Sequence, residues 1–110
     1  MLFRMLILTG ALTAVCVPAW AGFMTGDQLK DYLDDAQSGT SFKNLTVAMG
    51  YVAGVYDMVD QTHVCVTREL SVRDAMDIVH RYLNAHRSDL QQPAAELVVK
   101  ALAEEFPCKQ

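Results

Sequence analysis

Hydrophobic positions along the chain recur at helical spacing in four stretches, and each stretch carries a residue suited to a helix end. In TGDQLKDYLDDA, residues Leu29, Tyr32, Leu33 and Ala36 form a single stripe. Thr25 and Gln28, three apart, predict a capping box at its start. QSGTS then breaks the pattern. In SFKNLTVAMGYVAGVYDMVDQT the stripe is longest: Leu45, Ala48, Met49, Val52, Val55, Tyr56 and Val59, with Ser41 as cap. A third stripe begins at Ser71 and Asp74 and runs through Val72, Ala75, Met76, Val79, Tyr82 and Leu83. The fourth, Ala94, Leu97, Val98, Ala101, Leu102 and Phe106, follows Pro93, a residue that fits a first helical turn. Pro107 stops it. No run alternates as a strand does, so the predicted fold class is all-α, a small four-helix bundle.

Gly50 and Gly54 interrupt the best of these helices, one turn apart. Each costs about 1 kcal/mol relative to alanine in a helix interior. The expectation is a groove where a neighbouring helix backbone comes close. Asp57 follows on the same helix and is expected to bond to a neighbouring helix end or loop amide, with an interface contact as the alternative.

The beginning of the chain has a different pattern. Arg4 precedes an apolar stretch from Met5 to Val17, Pro18 breaks it, and Ala19-Trp20-Ala21 places small residues where a leader peptidase cuts. A transmembrane helix needs about 20 apolar residues, and this stretch is shorter. Residues 1–21 therefore read as a secretory signal peptide cut after Ala21, leaving 22–110 as one small exported domain with no membrane span. The formal charge of the whole chain is −4, and it becomes one unit more negative when Arg4 leaves with the leader. Nucleic-acid binding calls for clustered basic residues, so the partners expected are proteins.

Processing also removes Cys16 and leaves Cys65 and Cys108. An even count in an exported small domain reads as a disulfide, here tying the C-terminus to the loop after the second helix. An intermolecular bridge or two free thiols are the alternatives. His63 and Cys65 form an H-x-C pair that could hold a metal only if Cys65 were a thiolate. His80 and His86 are six apart, not the spacing of a helical zinc pair. His80 beside Arg81 is expected on a solvated face, and His86 at the end of the third helix. The carboxylates Asp34-Asp35, Asp57-Asp60 and Glu104-Glu105 are expected to face solvent. Asn44-Leu45-Thr46 matches a glycosylation sequon within a predicted helix and carries no weight. With no nucleophile elbow, phosphate loop or cofactor fingerprint, the sequence points away from an enzyme and from a bound cofactor or metal.

The succession GYVAGVYD, HVCV, YLNAHRSDL and PAAELVVKALAEEFPC resembles the Rap/Tai family of immunity proteins from type VI secretion systems, from about Thr25 to Cys108. Gly50, Tyr51, Gly54 and Asp57 match the family's helix motif, Cys65 and Cys108 its later cysteines, and Tyr82, Leu83, His86 and Leu90 the end of its third helix. The resemblance implies a periplasmic helical fold similar to the acid-stress chaperone HdeA, often a homodimer. It implies that the protein binds a secreted peptidoglycan amidase effector and blocks its active-site cleft. An HdeA-like acid-stress chaperone or a structural helical protein is the alternative. Family members commonly carry a further cysteine pair; here those neighbourhoods hold Tyr32-Leu33 and Ala48-Met49, and Arg87 stands where the family tends to proline.

An inhibitor that enters a cleft gains from a rigid protrusion, because less ordering is left for the moment of binding. Two connections could supply one: Thr62 to Leu70, with His63 and Arg68, and Asn84 to Gln92, with His86, Arg87 and Asp89. These five residues are the candidate effector contacts.

Overall fold

The computed structural model describes residues 23–109. The expected signal peptide, 1–21, lies outside the described residues. Four helices follow in order: α1 (Gly26–Ser38), α2 (Phe42–Val59), α3 (Val72–Ala85) and α4 (Ala94–Glu105), with a short 3-10 turn, Arg87–Asp89, between the last two. Each helix packs against the other three, so the fold is a small all-α bundle. Among the described residues there is no β-strand, only two isolated bridges, Thr25 with Pro93 and Asp60 with Val64. No described helix is long and apolar enough to cross a membrane.

The caps form as their residue types require. Thr25 accepts a hydrogen bond from the Gln28 amide while the Gln28 side chain accepts one from the Thr25 amide, closing the capping box. Ser41 and Ser71 accept from the amides of Asn44 and Asp74. Gly39 ends α1 in the left-handed conformation, φ 71°, which glycine adopts without a Cβ penalty. Pro93 sits one place earlier than its spacing suggests, as the cap of α4, and the Ala94 amide donates instead to the Met24 carbonyl at 2.8 Å.

The apolar stripes meet in one core. Leu29, Val52, Val64, Val79, Leu83, Leu97, Val98 and Leu102 are fully buried there. Burial of one such side chain contributes about 1.5–3 kcal/mol, so this set carries much of the drive to fold. Gly26 is the glycine the packing requires. A Cβ there would lie 2.9 Å from the Leu90 carbonyl oxygen and 3.0 Å from Leu90 Cα, where backbone cannot give way.

Four expectations are corrected. Gly50 and Gly54 do not receive a neighbouring helix: both are exposed, and a Cβ at either would meet nothing within 4 Å. The α2 stripe that does pack runs through Ala48 and Val52, on another face. Asp57 is exposed, and its carboxylate accepts no hydrogen bond among the described residues; its neighbour one turn on, Asp60, takes the Tyr56 hydroxyl at 3.2 Å instead. His80 is buried, not solvated, and binds the Asp34 carboxylate at 2.6 Å. Asp34 and Asp35 accordingly look inward to partners, Asp35 accepting from Asn44 Nδ2 at 2.6 Å.

Candidate functional site

The connection after α2 is built to hold one shape. The Val59 carbonyl accepts from the amides of Thr62, His63 and Val64 at 3.0–3.2 Å, and from the Thr62 hydroxyl at 2.9 Å. Gln61 turns the chain with φ 65°, a conformation uncommon for a residue with a side chain. Val64 drops into the core with no exposed surface. Next to it the Cys65 amide donates to the Phe106 carbonyl at 2.9 Å, and the Cys65–Cys108 disulfide closes across Cα atoms 4.8 Å apart. Cys65 therefore offers no thiolate to a metal beside His63. Further along, Arg68 lies over the Phe106 ring, 5.1 Å from its centroid. What stays exposed is the tip, Gln61 to His63, and the shoulder, Thr67 to Glu69.

The connection after α3 is built differently. His86 caps α3, stacking on Tyr82 with centroids 3.8 Å apart while its Nδ1 donates to the Tyr82 carbonyl at 2.8 Å. Asp89 and Gln92 donate their amides to the carbonyls of His86 and Asp89. The Leu90 side chain is buried, and the carbonyls of Leu90 and Gln92 accept from the amides of Asp27 and Gly26. This segment is thus folded against the start of α1. Arg87 and Ser88 face solvent, and Asp89 is half-buried. Burial, helped by the carboxylates of Asp89 and Glu104, pushes the Tyr82 phenol above its ordinary value, so that ring stays neutral.

The two connections do not come together. They lie at opposite ends of α3, whose 14 residues span about 21 Å. The five candidate contacts accordingly divide into two sites: His63 and Arg68 at one end, His86, Arg87 and Asp89 at the other.

The loop of His63 and Arg68 stands between two surface depressions of about 550 Å³ each. Arg68 lines the polar one, which follows α3 past Asp77, His80 and Arg81 and is bordered by Glu105. His63 lines the apolar one, between α2 and α4. Sequence reasoning named the loop but neither depression, because both depend on how helices far apart in the chain come to lie side by side.

Beneath the polar depression is a partly buried ionic clasp. Asp34 on α1 accepts from His80 Nε2 on α3 and, at 2.7 Å, from Lys30 Nζ. Burial raises the Asp34 carboxyl, but the bonds and charges of Lys30 and His80 outweigh it and hold the group below its usual value of 3.8. An ionised carboxylate only accepts, so His80 Nε2 carries the shared proton. Spacing alone could have placed His80 inside, since it follows Met76 by four and precedes Leu83 by three.

None of the curated proteins matches the chain. The family model for Rap1a immunity proteins matches residues 11–108, nearly the whole sequence and all four helices. The chain belongs to the Rap1a immunity protein family.

Proposed function

We propose that this protein is a periplasmic immunity protein that binds a type VI secretion peptidoglycan amidase and blocks its active-site cleft with the loop from Thr62 to Leu70. The family match over 11–108 carries the immunity reading. The leader-like residues 1–21 support export to the compartment where such an amidase acts. The construction of the loop supports its choice as the blocking element. Five anchors hold it: the Val59 carbonyl, Val64, the Phe106 carbonyl, the disulfide and the Phe106 ring under Arg68. A segment ordered before it binds loses little entropy on binding. The connection through Arg87 is ordered too, but its backbone is spent on α1.

Inhibition in this reading needs no chemistry from the chain. His63 and Arg68 supply hydrogen-bond donors and positive charge at the cleft, the disulfide holds the loop, and bulk excludes the substrate. The experiment is calorimetry between the oxidised domain 22–110 and a candidate type VI peptidoglycan amidase, followed by hydrolase assays on peptidoglycan. Tight binding with loss of hydrolysis is expected. The double variant His63→Ala/Arg68→Ala is expected to weaken it by about 2 kcal/mol or more, as interface anchors do. If that variant binds as the parent does while Arg87→Ala/Asp89→Ala does not, the choice of loop is wrong.

A further inference from the structure

Exposed charges of both signs border the polar depression along α3: Asp74, Asp77 and Glu105 against Arg68 and Arg81. None of them is paired within the described residues, where the ion pairs are those of Asp34 with Lys30 and His80. Asp77 and Arg81 are four apart on one helix, a spacing at which acid and base readily pair, yet they stay apart. Solvation accounts for exposed charges taken singly. It does not account for the group behind them. His80 is 9% exposed and lines the depression. Its Nε2 is bound to Asp34, whereas its Nδ1 has no hydrogen-bond partner among the described residues. No buried side-chain nitrogen or oxygen there lacks a partner, so Nδ1 opens outward. It opens onto the depression and the small cleft that continues it, which share Gln37, Asp77 and His80. With the proton on Nε2, the Nδ1 of a neutral ring presents a lone pair. A fixed acceptor beside carboxylates suits an ammonium group.

We infer that this depression binds a short peptide by its two free ends. The ammonium sits at His80 Nδ1 between Asp74 and Asp77, and the carboxylate on Arg81, with Arg68 beside it. Along the helix axis Asp77 and Asp74 lie about 6 and about 10 Å from Arg81. An extended chain covers about 3.3–3.6 Å per residue, so two or three residues bridge the charges. The volume of about 550 Å³ is that of a small-molecule site. A simple cation would leave both arginines without a partner, and a simple anion would leave the carboxylates and Nδ1 without one. A ligand carrying both charges at this separation satisfies the whole set. Peptides of this chemistry come from two sources, the stem peptides of the cell wall and the breakdown of proteins. The site stands on its own geometry; only the use of a wall peptide as a probe rests on the proposed setting, and no toxin enters the test.

The test is a nuclear magnetic resonance titration of the oxidised domain 22–110 with two probes, trialanine and the wall tripeptide L-alanyl-γ-D-glutamyl-diaminopimelate. At least one probe is expected to saturate with a dissociation constant of about 1 mM or tighter and to shift the Nδ1 resonance of His80. Acetylating its amino end or amidating its carboxyl end is expected to weaken binding about tenfold or more, the worth of a hydrogen bond to a charged group. Asp77→Asn and Arg81→Gln replace exposed side chains, so the fold is expected to survive, as thermal melts will show. Asp77→Asn should weaken the free peptide but not the acetylated one further, and Arg81→Gln the free peptide but not the amidated one. Asp31→Asn, exposed on α1 away from the depression, should change nothing. Binding of trialanine, alone or with the wall tripeptide, assigns the site to peptides in general, and binding of the wall tripeptide alone assigns it to wall fragments; both support the inference. Failure of both probes to saturate at about ten times 1 mM overturns it. So does binding that neither capping nor the substitutions at Asp77 and Arg81 weaken.

Discussion

Removing the bond between His80 and Asp34 tests whether the clasp holds α3 to α1. The His80 side chain is 11% exposed and that of Asp34 43%. A hydrogen bond to a charged group in a protein contributes about 1.5–3 kcal/mol. Exposed ion pairs contribute about 0–1 kcal/mol, and Asp34 is exposed enough to be partly screened. The pair should therefore couple by about 1–2 kcal/mol. Because His80→Ala also deletes packed atoms, the single variant overstates the bond, and the measurement is a double-mutant cycle with Asp34→Ala in urea unfolding. The pH dependence follows from the direction of the shift. Asp34 titrates lower in the folded state, so its contribution is present above the ordinary value of 3.8 and is lost as pH falls through the lower folded value. The deficit of Asp34→Ala relative to the parent should be full near neutral pH and shrink in the acid range below 3.8. A coupling below about 0.3 kcal/mol, which is within the error of additivity, or a deficit that does not change with acid, would refute the reasoning.

Replacing both cysteines, Cys65→Ala/Cys108→Ala, opens a loop closed across 43 residues and should cost about 4 kcal/mol in urea unfolding, by the chain-entropy relation. A loss under about 1 kcal/mol would show that native contacts alone hold the C-terminus. Gly50→Ala should stabilise the chain by about 0.5–1 kcal/mol, since its Cβ meets open space, whereas Gly26→Ala should lower the melting temperature because Leu90 blocks it. Equal effects at the two positions would contradict the packing described. Arg68→Ala should cost about 0.5–1 kcal/mol of stability through the lost contact with Phe106, and Arg68→Lys should recover only part of it; equal recovery by lysine would mean that charge, not the planar stack, makes the contact.

Much of the bundle is written locally. Thr25, Ser41 and Ser71 cap helices because a hydroxyl before a helix satisfies an amide that nothing else reaches, and that depends on residues three apart. The four stripes name the core for a similar reason: a helix turns by a constant angle, so spacing reports which residues share a side. Spacing does not report what lies opposite each side. Gly50 and Gly54 share a face, and a close helix contact is the natural expectation from them, yet the bundle turns that face outward. His80 shows the reverse error. Its neighbour Arg81 suggests a wet face, but the partner that makes its burial tolerable, Asp34, lies 46 residues away in the chain.

The same distinction separates the two connections as candidates for the toxin. By composition they are alike, each short, polar and carrying a histidine and an arginine. Their difference is in where their backbone groups go. The connection through Arg87 gives the carbonyls of Leu90 and Gln92 to α1 and buries Leu90, so exchanging those bonds for bonds to a partner would unpick the start of the bundle. The connection through His63 satisfies itself at Val59 and is held from behind by Phe106 and Cys108, which leaves its tip free without leaving it loose. A protein that must block a foreign cleft without rearranging needs that combination: backbone anchors behind, and side chains in front that share no backbone hydrogen bond with the helices of the core.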